Sequence, residues 1–139
     1  MPKLTKSLED YIEAVFMIEK KEGIVSVSKV ADFLNVKKPS AHTALNILKK
    51  RGLLNYKKYG KISLTEKGKN ISKNITDYHF MLTELLCEII GIDRQCAFNQ
   101  ACVLEHEIDA KSYRRISDFV RFVKKEKEFL KKYKGNHNE

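Results

Sequence analysis

The pentapeptide CVLEH, residues 102–106, places a thiol, a carboxylate and an imidazole within five residues. Such groups serve as metal ligands, as proton carriers and, for the thiol, as a redox centre. On an α-helix, side chains three and four positions apart lie over one another. Cys102, Glu105 and His106 stand at i, i+3 and i+4, so a helix turns all three the same way and Val103 and Leu104 elsewhere. Taken alone, the trio is equally consistent with a small core thiol, a solvated glutamate and a histidine at the boundary, because free cysteine is usually buried and inert. Two other groups bear on the choice. Asp10 and Glu13 stand at i and i+3 near the N-terminus, and His79 lies at the apolar end of a long helical segment. Each has an ordinary reading as well, as a solvated acidic face or a structural histidine.

The elements that must position these residues follow from periodicity. Residues 5–21 carry Leu8, Tyr11, Ile12, Val15, Phe16 and Ile18 at helical spacing, and Gly23 ends the run. A second short helix follows, with Ser28 as a plausible N-cap and Val30, Ala31, Phe33 and Leu34 as its apolar face. Asn35 suits a tight turn. Residues 37–52, KKPSAHTALNILKKRG, then read as the second helix of a helix-turn-helix, with Pro39 in the first turn and Gly52 at the end. Ala41, Ala44, Leu45 and Leu48 face inward. Lys37, Lys38, Pro39, Ser40, His42, Thr43 and Asn46 form an outer, mostly polar or basic face suited to a major groove about 12 Å wide, with Ser28 nearby. Residues 53–65 alternate about a turn at 58–60 and predict a β-hairpin whose tip carries Lys57, Lys58 and Lys61. Three helices followed by a basic hairpin is the order of a winged helix-turn-helix, the wing lysines lying on phosphates.

Beyond the hairpin the pattern is helical. Thr65 caps a helix over 65–90, followed by helices over 94–108 and 109–133 and a tail, KGNHNE, expected to be unstructured. The fold class expected is mainly α: a winged helix-turn-helix DNA-binding domain over 1–74 and an all-helical domain over 75–139. Charge follows the same division. Residues 1–74 hold 16 Lys/Arg against 7 Asp/Glu, whereas the remainder holds 11 of each, so the whole net charge of +9 lies in the first half. That asymmetry points to a polyanion partner for the first half and another task for the second. No run of 18 apolar residues suggests a membrane span, and MPKLTKSLEDYIEAV lacks the apolar core of a secretory signal. The expected compartment is the cytoplasm, where Cys87, Cys96 and Cys102 would be reduced thiols.

LEDYIEAV at the start, LTEKGK after the wing, then YH and CxxEH on the following helix, in this order, resemble the diphtheria toxin repressor family of metal-dependent transcriptional repressors. The resemblance covers residues 4 to about 122. With no SH3-like domain after the helices, the chain is similar to the short, manganese-sensing branch. The resemblance implies metal ligands at Asp10, Glu13, His79, Cys102, Glu105 and His106. It also implies one or two ions per subunit, at the junction of the two domains. The pattern is a hybrid: Asp10 and Glu13 follow the short branch, whereas Cys102 stands where manganese sensors carry Glu and iron sensors Cys. Phe98 and Thr83 occupy positions that serve an ancillary site in the iron branch. Oxygen ligands suit Mn²⁺ and Fe²⁺, and the thiolate adds affinity for Fe²⁺, Co²⁺ or Zn²⁺, so the expected order is Fe²⁺, then Mn²⁺, then Zn²⁺.

The implied activity is a homodimeric repressor that binds double-stranded operator DNA when metal is bound, with metal uptake genes as the expected targets. Phe80, Met81, Leu85, Ile89 and Ile90 would supply the dimer interface, or else only the core of their own domain. An enzyme is not expected, nor a small-molecule substrate: HEID at 106–109 lacks the second histidine of HExxH, Ala110 standing there instead. The alternative carried forward is a winged-helix regulator that senses oxidation through its cysteine thiols.

Overall fold

The computed structural model describes residues 3–57 and 60–136. The chain falls into two compact units, Met1–Asn74 and Ile75–Glu139.

In the first unit, α1 (Lys6–Glu22) begins where the Thr5 hydroxyl accepts from the Leu8 N–H at 3.3 Å and ends at Gly23, whose φ of 75° suits a residue without Cβ. Leu8, Tyr11, Ile12, Val15 and Ile18 form its buried face. The second helix, α2 (Val27–Leu34), corrects two expectations. Its N-cap is Ser26, not Ser28: Ser26 is extended, and its Oγ accepts from the Lys29 N–H at 3.2 Å. Phe33 is 55 % exposed rather than inward, because this helix of about two turns buries only Val30 and Ala31, with Leu34 half-buried. Asn35, in the left-handed conformation at φ 53°, turns the chain toward α3 (Lys38–Lys50). Pro39 lies in the first turn of α3, where the missing N–H costs nothing, and Ala41, Ala44, Leu45 and Leu48 are buried.

β1 (Leu54–Tyr56) and β2 (Ile62–Leu64) pair antiparallel, with Leu54 opposite Leu64 and Tyr56 opposite Ile62. Those four side chains are buried, while Asn55 is exposed and Ser63 half-buried, the alternation of a strand with one face on a core. The Thr65 hydroxyl donates to the Gly52 carbonyl at 2.8 Å and accepts from the Gly68 N–H at 3.1 Å, which joins the hairpin exit to the start of α4 (Glu66–Glu84). Gly68 of the LTEKGK motif is required sterically: a Cβ there would lie 2.2 Å from the Leu53 carbonyl oxygen.

The unit boundary falls within α4. In the second unit, α4 runs into a π-helical turn, Leu85–Ile89, and Gly91 follows at φ 88°. Next come α5 (Arg94–Leu104), α6 (Ala110–Lys125) and α7 (Lys127–Gly135). The expected helix over 94–108 is therefore shorter. The expected single helix over 109–133 is two, broken at Glu126 (φ −86°, ψ 68°). The break lets Leu130 pack against the same core as Val120 and Val123. Lys134 and Gly135, expected in an unstructured tail, are helical. Of the apolar residues singled out on α4 and the turn, Met81 and Ile89 are buried and Leu85 packs against them. Phe80 is 67 % exposed, and Ile90 is exposed as well. Among the described residues, no helix is long and apolar enough to cross a membrane.

Candidate metal centre and DNA-binding face

Four of the six expected metal ligands belong to the second unit, and the structure brings them together. His79 projects from α4. Cys102 lies in the last turn of α5, Glu105 caps that helix, and His106 follows in the turn. Although α5 ends at Leu104, Glu105 keeps helical angles (φ −57°, ψ −29°), so the i, i+3 relation to Cys102 survives. Glu105 and His106 are 4 % and 5 % exposed, which is not what a solvated glutamate and a boundary histidine would show. His79 Nδ1 lies 2.7 Å from Glu105 Oε2, and His106 Nε2 lies 3.5 Å from Glu105 Oε1. Cys102 Sγ is 3.8 Å from His79 Nδ1.

A buried carboxylate needs partners, and here it has an imidazole on either oxygen. Burial holds the His79 pKa below the usual imidazole value. Nδ1 lies at hydrogen-bond distance from the carboxylate, and with Nδ1–H donating to it, Nε2 keeps its lone pair. The same relay orients many metal-binding histidines. Phe98 stands edge-on to His79, ring centroids 4.6 Å apart, so the position that resembles an ancillary ligand carries an aromatic wall. Three contacts link the four donors: His79 with Glu105, His106 with Glu105, and Cys102 with His79. Among the described residues, no three His, Cys, Asp or Glu side chains are already spread about one point as ligands of an ion.

Asp10 and Glu13 belong to the first unit, both half-buried on α1. The expected DNA-contacting residues of that unit divide by exposure. Lys37, Lys38, Pro39, Ser40, His42 and Thr43 are exposed, Asn46 and Ser28 half-buried, and Lys57 and Lys61 exposed on either side of the hairpin tip. Lys58 lies outside the described residues. The Thr43 hydroxyl donates to the Pro39 carbonyl at 3.0 Å. His42 Nδ1 lies 2.9 Å from the Tyr56 hydroxyl, a contact between a helix and a strand that no spacing in the sequence encodes. Ser26, Val27, Lys38, Pro39, His42, Tyr56, Gly60 and Ile62 line one shallow groove between the helix-turn-helix and the hairpin.

This arrangement of a helix-turn-helix with a basic hairpin, followed by helices holding a His–Glu–His–Cys cluster around the buried Glu105 and His106, defines a class. The sequence model described as "Iron dependent repressor, N-terminal DNA binding domain" matches residues 3–62, and "Iron dependent repressor, metal binding and dimerisation domain" matches residues 65–132. The chain belongs to this family of metal-dependent, DNA-binding transcriptional repressors. The HTH-type transcriptional regulator MntR of Bacillus subtilis is 34 % identical over 141 residues, covering 97 % of this chain and 99 % of that one. MntR of Lysinibacillus sphaericus is 32 % identical over 137 residues, covering 96 % and 98 %.

Among solved structures, the metal-dependent transcriptional regulator MtsR has a TM-score of 0.75 at 23 % identity over 86 % of this chain and 55 % of its own. A manganese-dependent transcriptional repressor in complex with manganese has a TM-score of 0.72 at 22 % identity, over 83 % and 53 %. The chain spans about half the length of these two structures, and at such identities they show the fold. Nothing in the comparisons supports the thiol-oxidation alternative.

Proposed function

We propose that the chain is a cytoplasmic homodimeric repressor that binds double-stranded operator DNA when Fe²⁺ or Mn²⁺ is bound, and that its operators control metal uptake. No catalytic role and no small-molecule substrate is assigned. One observation carries the metal assignment: the buried Glu105 carboxylate, flanked by His79 and His106 with Cys102 beside them. The donor set fits a divalent transition ion. The carboxylate suits Mn²⁺ and Fe²⁺, neutral imidazoles suit any of the series, and the thiol, once deprotonated, leaves room for Zn²⁺ or Co²⁺. Relatives described with manganese, and one solved with Zn²⁺, are consistent with that range. In this proposal Asp10 and Glu13 supply further oxygen ligands, for one or two ions per subunit.

When bound, the ion supplies positive charge that offsets the carboxylates and a fixed coordination geometry. The chain's own residues do the rest. His79 presents a ring-nitrogen lone pair, burial disfavouring its charged form, and Glu105 orients that ring. On α3, Ser40, His42, Thr43 and Asn46 face base edges. Lys37, Lys38, Lys57, Lys58 and Lys61 meet phosphates, with Ser28 at the margin. In a two-fold dimer the two copies of α3 read half-sites one helical turn, or a multiple, apart. Metal favours the DNA-ready arrangement only by its difference in affinity for that arrangement.

The test is fluorescence anisotropy with metal-free full-length protein, anaerobically, and duplexes from its own upstream region, titrating Fe²⁺, Mn²⁺, Co²⁺ and Zn²⁺ at fixed salt. Salt is fixed because phosphate contacts alone move affinity steeply. Tightening by Fe²⁺ or Mn²⁺ supports the reading; affinity indifferent to every ion sinks it.

A further inference from the structure

We infer that Tyr56 positions His42 for reading DNA: the Tyr56 hydroxyl donates to His42 Nδ1, fixes the ring with its proton on Nε2, and so aims a single N–H donor from α3 at a purine edge in the major groove. The inference rests on the DNA-binding reading above.

Three features of the first unit carry it. His42 is exposed, one turn along α3 from Lys38, on the face that also carries Pro39 and Thr43. Tyr56 is buried in β1, its backbone registered against Ile62, so its ring is held by the hairpin rather than by solvent. The two meet with Nδ1 2.9 Å from the phenol oxygen and the rings edge-on, centroids 5.8 Å apart at 78°. Lys49 Nζ lies 6.0 Å from the Tyr56 ring centroid, a further contact on the tyrosine.

The chemistry follows. A neutral imidazole has one donor and one acceptor nitrogen, and an exposed one samples both tautomers and several rotamers. A phenol O–H can donate or accept; in the arrangement inferred here it donates, so the nitrogen facing it is the acceptor and the other carries the proton. A fixed Nε2–H finds two adjacent acceptors, N7 and O6, on guanine, whereas adenine offers N7 beside a competing donor. Guanine is therefore the base this pair selects. A phosphate contact would need no fixed tautomer, since either ring nitrogen could donate.

The experiment selects bound duplexes from a library with a randomised core, with Mn²⁺ present. Wild-type full chain is compared with Tyr56→Phe, His42→Ala and the double variant. Long-range ¹H–¹⁵N spectra of His42 are recorded for wild type and Tyr56→Phe. Expected are loss of one guanine preference per half-site in His42→Ala and a roughly three- to tenfold weakening of that preference in Tyr56→Phe, the scale of one hydrogen bond. The double variant should be no worse than His42→Ala, and His42 should be a single Nε2-protonated species only in wild type. Retention of both preference and tautomer in Tyr56→Phe overturns the positioning role. A uniform loss across all sequences in His42→Ala marks a phosphate contact and overturns base reading. If wild type enriches no sequence, the DNA-binding reading itself falls and the inference with it. Tyr56→Phe keeps the buried ring; should it still fail to fold, the wild-type tautomer and His42→Ala decide the matter.

Discussion

In the first unit, the polar residues proposed to act stand outside a filled apolar core: Lys38, Ser40, His42 and Thr43 are exposed while Ala41, Ala44, Leu45 and Leu48 beneath them are buried. In the second, the order is reversed. Glu105 and His106 are inside, and aromatic side chains such as Phe80, Phe119 and Phe122 are outside. The difference reflects what each region would bind. DNA is read from a surface, where exposed donors cost nothing to maintain. An ion needs donors withdrawn from water and held by one another. Burying a carboxylate is unfavourable even when it is hydrogen-bonded, and a packed apolar side chain would often be as stable. On the proposed reading, the carboxylate at 105 serves ligation rather than stability.

The sharpest break of that comparison is Glu105→Ala. It removes the carboxylate on which the interior cluster closes and leaves His79 without its acceptor. Metal affinity, followed by calorimetric titration, is expected to fall by about 100-fold or more, at or beyond the upper end for groups that orient metal ligands. DNA binding should then lose its response to metal while its metal-free level stays. An unchanged metal affinity would place ligation elsewhere. Smaller, and aimed at selectivity, is Cys102→Glu. Exchanging a soft donor for a hard one should move the ratio of Mn²⁺ to Zn²⁺ affinity toward Mn²⁺ by roughly tenfold. If the ratio does not move, the thiol is packing rather than ligand.

These two regions were also unequally legible in the sequence. The inward face of α3 follows directly from 3.6-residue periodicity, and the exposed basic residues from their types. Caps and breaks were less accessible. Ser26 and Ser28 are both good N-caps by type, and only backbone angle separates them. The break at Glu126 has no proline or glycine to announce it. The interior cluster was least accessible: Glu and His are ordinarily read as solvated or marginal, so its ligands came through resemblance to a family rather than periodicity. The His42–Tyr56 contact joins residues 14 apart on a helix and a strand, and neither pattern encodes it.

On the exposed side of the comparison, Lys57→Ala with Lys61→Ala should weaken binding to all duplexes by a similar factor and lower the salt slope by about 2, one for each phosphate contact. Sequence preference should stay as it was. A change in preference instead would mean that the hairpin reads bases, and the contrast between reading helix and positioning wing would fail.

The smallest effect separates the interior cluster from the framework that holds it. Asp109 caps α6, its Oδ1 accepting from the Ser112 N–H at 2.7 Å, and that hydrogen bond holds the carboxyl below the usual carboxylate range. A group depressed on folding adds stability above its unfolded value, about 3.9 for Asp, and that contribution is lost as pH falls through the lower, folded value. Asp109→Asn keeps a capping oxygen but cannot titrate. Thermal melts of the metal-free protein should therefore show a shallower loss of stability for the variant than for wild type as pH drops from about 5 toward 2. Metal affinity at pH 7 should be equal in the two, because Asp109 is exposed and is not among the proposed ligands. Parallel acid profiles would remove the cap from the account of α6, and a fall in metal affinity would show that the framework and the cluster are not separable.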